Sequence, residues 1–453
     1  MDSGSKPTRR EWLCGLGAVA SALAGCATAR PEATPDGTPA GDSTATPGRG
    51  SEPTTTGTPD STAADPTGTG GHGSSWPTFR GDNRNTGCVL DQRGPLDDPT
   101  EKWTVSTEGG VWGSPAVVDG VVYIGSMDRR LYAIDAETGA VEWTVSTGGP
   151  VQSSPAVVDG RVYFGSFDRK MYCLDADTGE EQWTYETEGL VNGSPTVAGG
   201  TVYVGSGAIG VAEVHAFLNS SDVEQEGGGL YALDAETGNL EWRRFPERLV
   251  SSTPAVVDSS LFVGLDTREG RNPMVVSLEA ADGDTRWSHE TDTGVFTSPS
   301  VQSGVVYAGS FGGTVYALAT DTGDEEWTFD PGPGDIRGST AVCEDSVYVP
   351  VSGNRPEEDE PVLYSLSLDG EVQWEHVVHH ARQMGSSPAV TADAIYVGTH
   401  HVSDVGGMYA VSHDGERLWS QALPWEEGVG SSPAVVDGTV YYGADHNTVY
   451  AME

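Results

Sequence analysis

Lysine is almost missing: the 453 residues hold three, Lys6, Lys102 and Lys170. Basic side chains number 24 in all against 67 acidic ones, a formal net charge of -43. Such a surface repels phosphate, which excludes unaided nucleic-acid binding. Cysteine is scarce, with five residues and no CxxC pair, so neither a disulfide-rich miniprotein nor a thiolate zinc site is expected. The small and apolar run Leu13 to Gly25 is too short to cross a bilayer of about 30 Å as a helix, and a multi-span membrane protein is excluded. What the chain has in quantity is glycine (61), proline (27), tyrosine (16) and tryptophan (12). That mixture means many turns between aromatic strands and disfavours both a helical bundle and a wholly disordered chain. The length exceeds one ordinary domain, so a single large architecture or several domains are expected.

The N-terminus reads as an address. Arg9 and Arg10 stand just before the short apolar run, an arrangement that resembles the Tat class of export signals, which carry folded proteins. The run ends in Leu23-Ala24-Gly25-Cys26, which resembles a lipobox and implies lipidation of Cys26 as the first mature residue. Residues 27–75 are almost entirely Thr, Pro, Gly, Ser, Ala and acidic residues. They lack the apolar content that would offset ordering entropy and read as a disordered tether. The expectation is therefore export, a lipid anchor on the outer face of the cytoplasmic membrane, and no other membrane contact. The acidic, lysine-poor composition resembles proteins of salt-loving microbes, haloarchaea among them, where molar salt screens charge repulsion within about 3 Å.

Beyond residue 75 one pattern repeats. Ser114-Pro115-Ala116-Val117-Val118-Asp119-Gly120 returns as Ser154-Pro155-Ala156-Val157-Val158-Asp159-Gly160 and again around Pro195, Pro254, Pro299, Pro388 and Pro433, with Thr340 in the proline slot of a degenerate copy. The steps are 40, 40, 59, 45, 41, 48 and 45 residues, giving eight copies. Each copy carries four short apolar or aromatic runs divided by Asp-Gly and Thr-Gly turns, the signature of four antiparallel strands. One such sheet cannot cover its own faces, and packing the copies in a ring solves this. Tryptophans end seven copies, at Trp143, Trp183, Trp242, Trp287, Trp327, Trp374 and Trp419, while the eighth stops at Glu453 without one. Trp103 precedes the first copy. Residues 102–106 are therefore expected to supply the outer strand of the last blade and close an all-β, eight-bladed propeller over residues 76–453, which we expect to be a monomer.

The run Ala133-Ile134-Asp135-Ala136-Glu137-Thr138-Gly139-Ala140-Val141-Glu142-Trp143 resembles the repeat of the pyrroloquinoline quinone (PQQ)-type eight-bladed propellers. Residues 173–183 and 230–242 match it in part, and Trp76-Pro77-Thr78-Phe79-Arg80-Gly81-Asp82 resembles the lead-in of such proteins. The resemblance implies that the Asp and Thr tie a turn together and that the Trp packs between blades. It implies two branches of function. Quinoprotein dehydrogenases hold the quinone over calcium with Asp, Glu and Asn side chains and often two adjacent cysteines. The non-catalytic branch includes the BamB-type assembly lipoproteins. This sequence has no adjacent cysteines, and its regular blades and N-terminus fit the non-catalytic branch better. The expected function is a surface scaffold binding a protein or peptide, with no catalytic residues and no resident cofactor. A PQQ- and calcium-dependent dehydrogenase is the first alternative, and a glycan- or metal-binding module the second.

Long departures from the repeat, at residues 207–229, 265–273, 351–361 and 399–407, all fall in second-to-third connections on one face. Loop variation on a rigid frame is where binding usually lives. Three residues before each proline slot the chain should reach the channel mouth. There stand Trp112, Gln152, Asn192, Ser251, Phe296, Arg337, Gly385 and Gly430, with Arg337 the best anchor for an anionic group. The late histidines His376, His379, His380, His400, His401 and His446 gather on the same face; all but His376 are candidate metal ligands, although no HxH or HExxH spacing supports a metal. Asn192 and Asn219 begin glycosylation sequons. Of the cysteines, Cys173 occupies a slot filled by alanine in other copies and reads as buried filler. One disulfide among Cys88, Cys173 and Cys343 is possible, with the pairing open.

Overall fold

The computed structural model describes residues 75–207, 227–246, 248–266, 272–353, 360–379, 381–401, 407–423 and 428–453, the side chains of Arg382 and His401 excepted. Arg9, Arg10, Cys26, the tether, Asn219, His380 and the interiors of the long connections lie outside them.

The turn chemistry of the repeat yields the expected blades. In blade 1, Ala116–Val118, Val121–Ser126, Arg130–Asp135 and Val141–Ser146 pair antiparallel from the axis outward. Asp119 and Gly120 take positive φ of 51° and 80°, as a tight hairpin demands. Seven more sheets repeat this order, with inner strands Ala156–Val158, Thr196–Ala198, Ala255–Val257, Ser300–Gln302, Ala341–Cys343, Ala389–Thr391 and Ala434–Val436. Blade 8 takes its outer strand from upstream: Glu101–Ser106 pairs antiparallel with Thr448–Met452, one residue longer than expected. The propeller is thus closed between the two ends of the repeat region.

Each repeat residue has a job between blades. In blade 1 the Asp135 carboxylate accepts from the backbone N–H and hydroxyl of Thr138, at 2.7 and 2.6 Å, and fixes the turn. Gly139 follows with φ +72°, and a Cβ there would stand 2.8 Å from the Trp103 ring. The glycine is therefore required twice, for its dihedral and for the indole lying on it. Trp103 Nε1 donates to the Ala136 carbonyl of the same turn at 2.9 Å. The contact recurs around the ring: Trp143 reaches Ala176, Trp183 reaches Ala235, Trp242 reaches Ala280, and Trp374 reaches His413. Trp419 has no such turn to meet in the interrupted blade 8, and its Nε1 donates to the Pro95 carbonyl at 2.7 Å instead. Nearer the axis, the serine before each proline slot links neighbours. The Ser114 N–H donates to Ser154 Oγ, Ser154 to Ser194, Ser298 to Ser339, Ser339 to Ser387, Ser387 to Ser432, and Ser432 back to Ser114.

The lead-in does more than connect. Trp76 enters antiparallel to the inner strand of blade 1, exchanging backbone hydrogen bonds with Val117 at 2.6 and 2.8 Å. The chain then visits the inner strands in ring order. Val157 donates to Pro77, Asn83 Nδ2 to Val197, Val256 to Asn83, Val301 to Arg84, Val342 to Thr86, and Val390 to Gly87. Cys88–Val89 adds a parallel strand to blade 7, and Gln92 and Arg93 accept from Asp437 and Gly438 of blade 8. Residues 76–93 therefore form a collar inside the ring on the side of the Asp-Gly turns. Buried Arg80 sits within it, its Nη2 donating to the Thr86 and Thr340 carbonyls at 3.1 and 2.6 Å. Burial pulls its guanidinium down to about 9, against the pull of Asp82. Cys88 and Cys343 form the disulfide, tying the collar to blade 6, and Cys173 is a free, buried thiol.

Two outcomes follow. Trp103→Ala removes the buried closing indole and is expected to cost about 3–5 kcal/mol in chemical denaturation. Reduction of Cys88–Cys343, which spans 255 residues, is expected to cost roughly 3–5 kcal/mol on the chain-entropy account.

Candidate functional site

The collar occupies one side of the ring, so the axis opens toward the other side, where the fourth-to-first and second-to-third connections meet. The alternation of the chain places the eight slot residues there. Val111, Val151, Val191, Val250, Val295, Ile336, Met384 and Val429 are fully buried between blades. They are admitted by strand glycines such as Gly125, whose Cβ would lie 2.5 Å from Val151 Cγ1. The residue after each is half-buried and belongs to the mouth, as expected for Trp112, Gln152, Asn192, Ser251, Phe296, Arg337, Gly385 and Gly430.

These residues touch in sequence around the mouth. Trp112 packs against the small apolar cluster of Met127, Phe167 and Leu190. Asn192 Nδ2 donates to Ser251 Oγ at 3.2 Å. Phe296 meets Phe311 edge-on at 5.7 Å, and the Arg337 guanidinium carbon lies 5.2 Å over the Phe311 ring. Arg337 also donates through Nε to one oxygen of Asp335 at 2.8 Å, and its Nη2 lies 2.6 Å from the same oxygen as an ion pair. The cation singled out in the sequence is thus paired, yet it keeps its third nitrogen and a 30% exposed side chain.

The two glycine slots are filled by a neighbour. His400 lies in a short ribbon, His400–His401 against Ala381–Gln383, which turns its ring over blades 7 and 8. A Cβ on Gly428 would come within 2.6 Å of His400 Nδ1, and one on Gly430 within 3.0 Å of Nε2; Gly385 lies 3.5 Å from Nε2. Three glycines therefore make the seat of one imidazole. Its Nδ1 stands 3.1 Å from Asp445 Oδ2. Burial works against the charged ring and Arg337 opposes it too, but the charge and hydrogen bond of Asp445 prevail and hold His400 above the usual histidine value. Two adjacent blanks in an otherwise varied column of slots were the available signal for this seat; sequence reading named His400, Gly385 and Gly430 without joining them.

The other histidines do not join His400. His379 Nδ1 pairs with Glu360 at 2.8 Å, His376 Nδ1 lies 2.9 Å from the Gly415 carbonyl, and His446 Nε2 lies 2.8 Å from Tyr450 Oη. Among the described residues no three His, Cys, Asp or Glu side chains converge as metal ligands. A calcium-held quinone needs six to eight oxygen donors on its ion. At this mouth Asp335 pairs with Arg337 and Asp445 with His400, Asp445 Oδ1 is buried without a hydrogen-bond partner, and among the described residues no third carboxylate joins them, so the described residues do not fit that group.

The model of the family described as outer membrane protein assembly factor BamB matches residues 94–218, 226–383 and 358–453. The chain belongs to that family. Among solved structures this BamB-family chain is similar to the quinohemoprotein alcohol dehydrogenase of Comamonas testosteroni, with 17% identity, a TM-score of 0.66, and coverage of 85% of this chain and 81% of the other. It is similar to a europium-containing methanol dehydrogenase at 15% identity, TM-score 0.66, covering 84% and 98%. It is also similar to BamB of Moraxella catarrhalis at 14% identity, TM-score 0.59, covering 79% and 100%. At these identities the likeness is one of fold. A serine/threonine-protein kinase, AfsK of Streptomyces griseus, is 35% identical over 113 residues, 22% of this chain and 13% of the kinase, so the chain matches only a small part of that protein's length.

A histidine whose folded value exceeds its unfolded one stabilises the fold when charged. That contribution is complete below the unfolded value, about 6.5, and is lost as pH rises through the folded value. Asp445→Asn is therefore expected to lower the titration midpoint of the His400 ring, followed by NMR, and to remove this acid-side stabilisation. An unmoved midpoint would show that the pair is not formed.

Proposed function

We propose that this BamB-family propeller is an exported, lipid-anchored, non-catalytic scaffold whose loop-rich face binds a protein or peptide. One observation carries the reading: the mouth combines aromatic rings with Arg337 and His400, each of which faces a carboxylate. That equipment suits recognition better than a metal-bound cofactor. The Cys88–Cys343 disulfide suits an oxidising compartment and so supports export. The dehydrogenase reading draws its support from the fold shared with a quinohemoprotein alcohol dehydrogenase and a europium-containing methanol dehydrogenase.

Incubating the purified protein with PQQ and calcium separates the two readings. The expected outcome is no saturable uptake and no dye-linked alcohol oxidation; stoichiometric uptake with turnover would establish the enzyme. In the native host, Cys26→Ala is expected to shift the protein from the membrane fraction to the medium.

A further inference from the structure

We propose that the channel mouth is a blind receptor for the C-terminal carboxylate of a peptide, held between Arg337 and His400 with the terminal side chain against Phe296 and Phe311. This rests on the binding-scaffold reading and names its ligand.

Three features of the mouth select this ligand. The first is its depth. The collar of residues 76–93 bonds to the inner strands of blades 1 to 7 and to the Asp437-Gly438 turn of blade 8, and its buried Arg80 and Asn85 side chains reach carbonyls of blades 4, 5 and 6, filling that end of the axis. A loop or strand cannot thread it, whereas a chain end fits a dead end. The second is the pair of donors. Arg337 Nη1 makes no bond to Asp335, whose contacts go to Nε and Nη2. His400 spends Nδ1 on Asp445, which leaves Nε2 beside Gly385 and Gly430 at the mouth. The Arg337 slot adjoins the slot of Gly385, against which His400 Nε2 is seated, since a Cβ on Gly338 would meet the Ser386 carbonyl at 2.4 Å; the two donors thus stand at neighbouring positions of one mouth. The charged groups facing His400 from the described neighbours are Asp445 and Arg337, with Asp335 behind the latter. The third is the apolar wall. Phe296 and Phe311 stand beside Arg337, where a hydrophobic terminal residue would lie. In a chain of net charge -43, two cations fixed at one opening give an anion its local place to bind.

The probe is a fluorescein-labelled hexapeptide ending in phenylalanine, read by anisotropy against the full-length protein, as free acid and as C-terminal amide. The free acid is expected to bind about tenfold tighter or more, the scale of one charge-assisted hydrogen bond. Arg337→Gln and His400→Gln should each forfeit that advantage. Asp335→Asn releases Arg337 and should tighten binding, an effect that loss of folding cannot imitate. Affinity should fall as pH rises above the ordinary histidine value of about 6.5 and His400 loses its proton. Equal binding of acid and amide overturns the carboxylate receptor while leaving a peptide scaffold standing. Binding of neither peptide overturns both readings. PQQ itself carries carboxylates; its binding in an Arg337-dependent manner without peptide binding would overturn the proposal in favour of the cofactor.

Discussion

A four-stranded sheet with two apolar faces is unstable alone, and every feature of this chain answers that constraint. The answer is a contact made once per blade boundary: an indole on the outer strand lies flat on a glycine turn of the next blade and donates to a carbonyl of that turn. Because the indole sits where a Cβ would be, the turn must be glycine. Because the glycine is αL, the preceding Asp and Thr must hold the turn closed. The repeat motif is the record of one packing problem solved the same way at seven boundaries, and the eighth is instructive: Trp419, facing the interrupted blade, borrows the Pro95 carbonyl from the lead-in.

The ring so formed leaves two problems, a seam and a hole. The seam is closed by Glu101–Ser106 against Thr448–Met452, the ordinary device of pairing an exposed strand edge. The hole is occupied from one side by the collar, whose backbone and Asn83 side chain satisfy inner-strand groups that would otherwise face an empty channel. These solutions together decide where function can reside. One side of the axis is filled and bounded by minimal turns. The other side keeps the eight slot residues half-buried, backed by fully buried valines, isoleucine and methionine.

Within that mouth the chemistry is divided. Blades 1 to 5 contribute aromatic and amide side chains, and blades 6 to 8 contribute two cation–carboxylate pairs. Family membership and shared fold do not choose between a quinone enzyme and a binding scaffold, since both kinds of protein have this architecture. The described mouth itself holds two carboxylates, Asp335 facing Arg337 and Asp445 facing His400.

Much of this was readable from residue order. The repeat period, the strand-turn spacing and the displaced Trp103 are local or periodic signals, so blade number, strand order and closure follow from them without coordinates. The mouth positions also follow, because they keep a constant offset from the proline slot. Cys173 as filler follows from its column of alanines. What residue order left open depends on contacts between distant segments that obey no period. The Cys88–Cys343 pairing, the winding of residues 76–93 past all eight blades, and the seating of His400 on glycines from two blades are each single events. A single event has no second copy against which to be recognised. Periodicity determined the frame; only the tertiary structure decided what fills its centre, because that is set by space left over after the blades have packed.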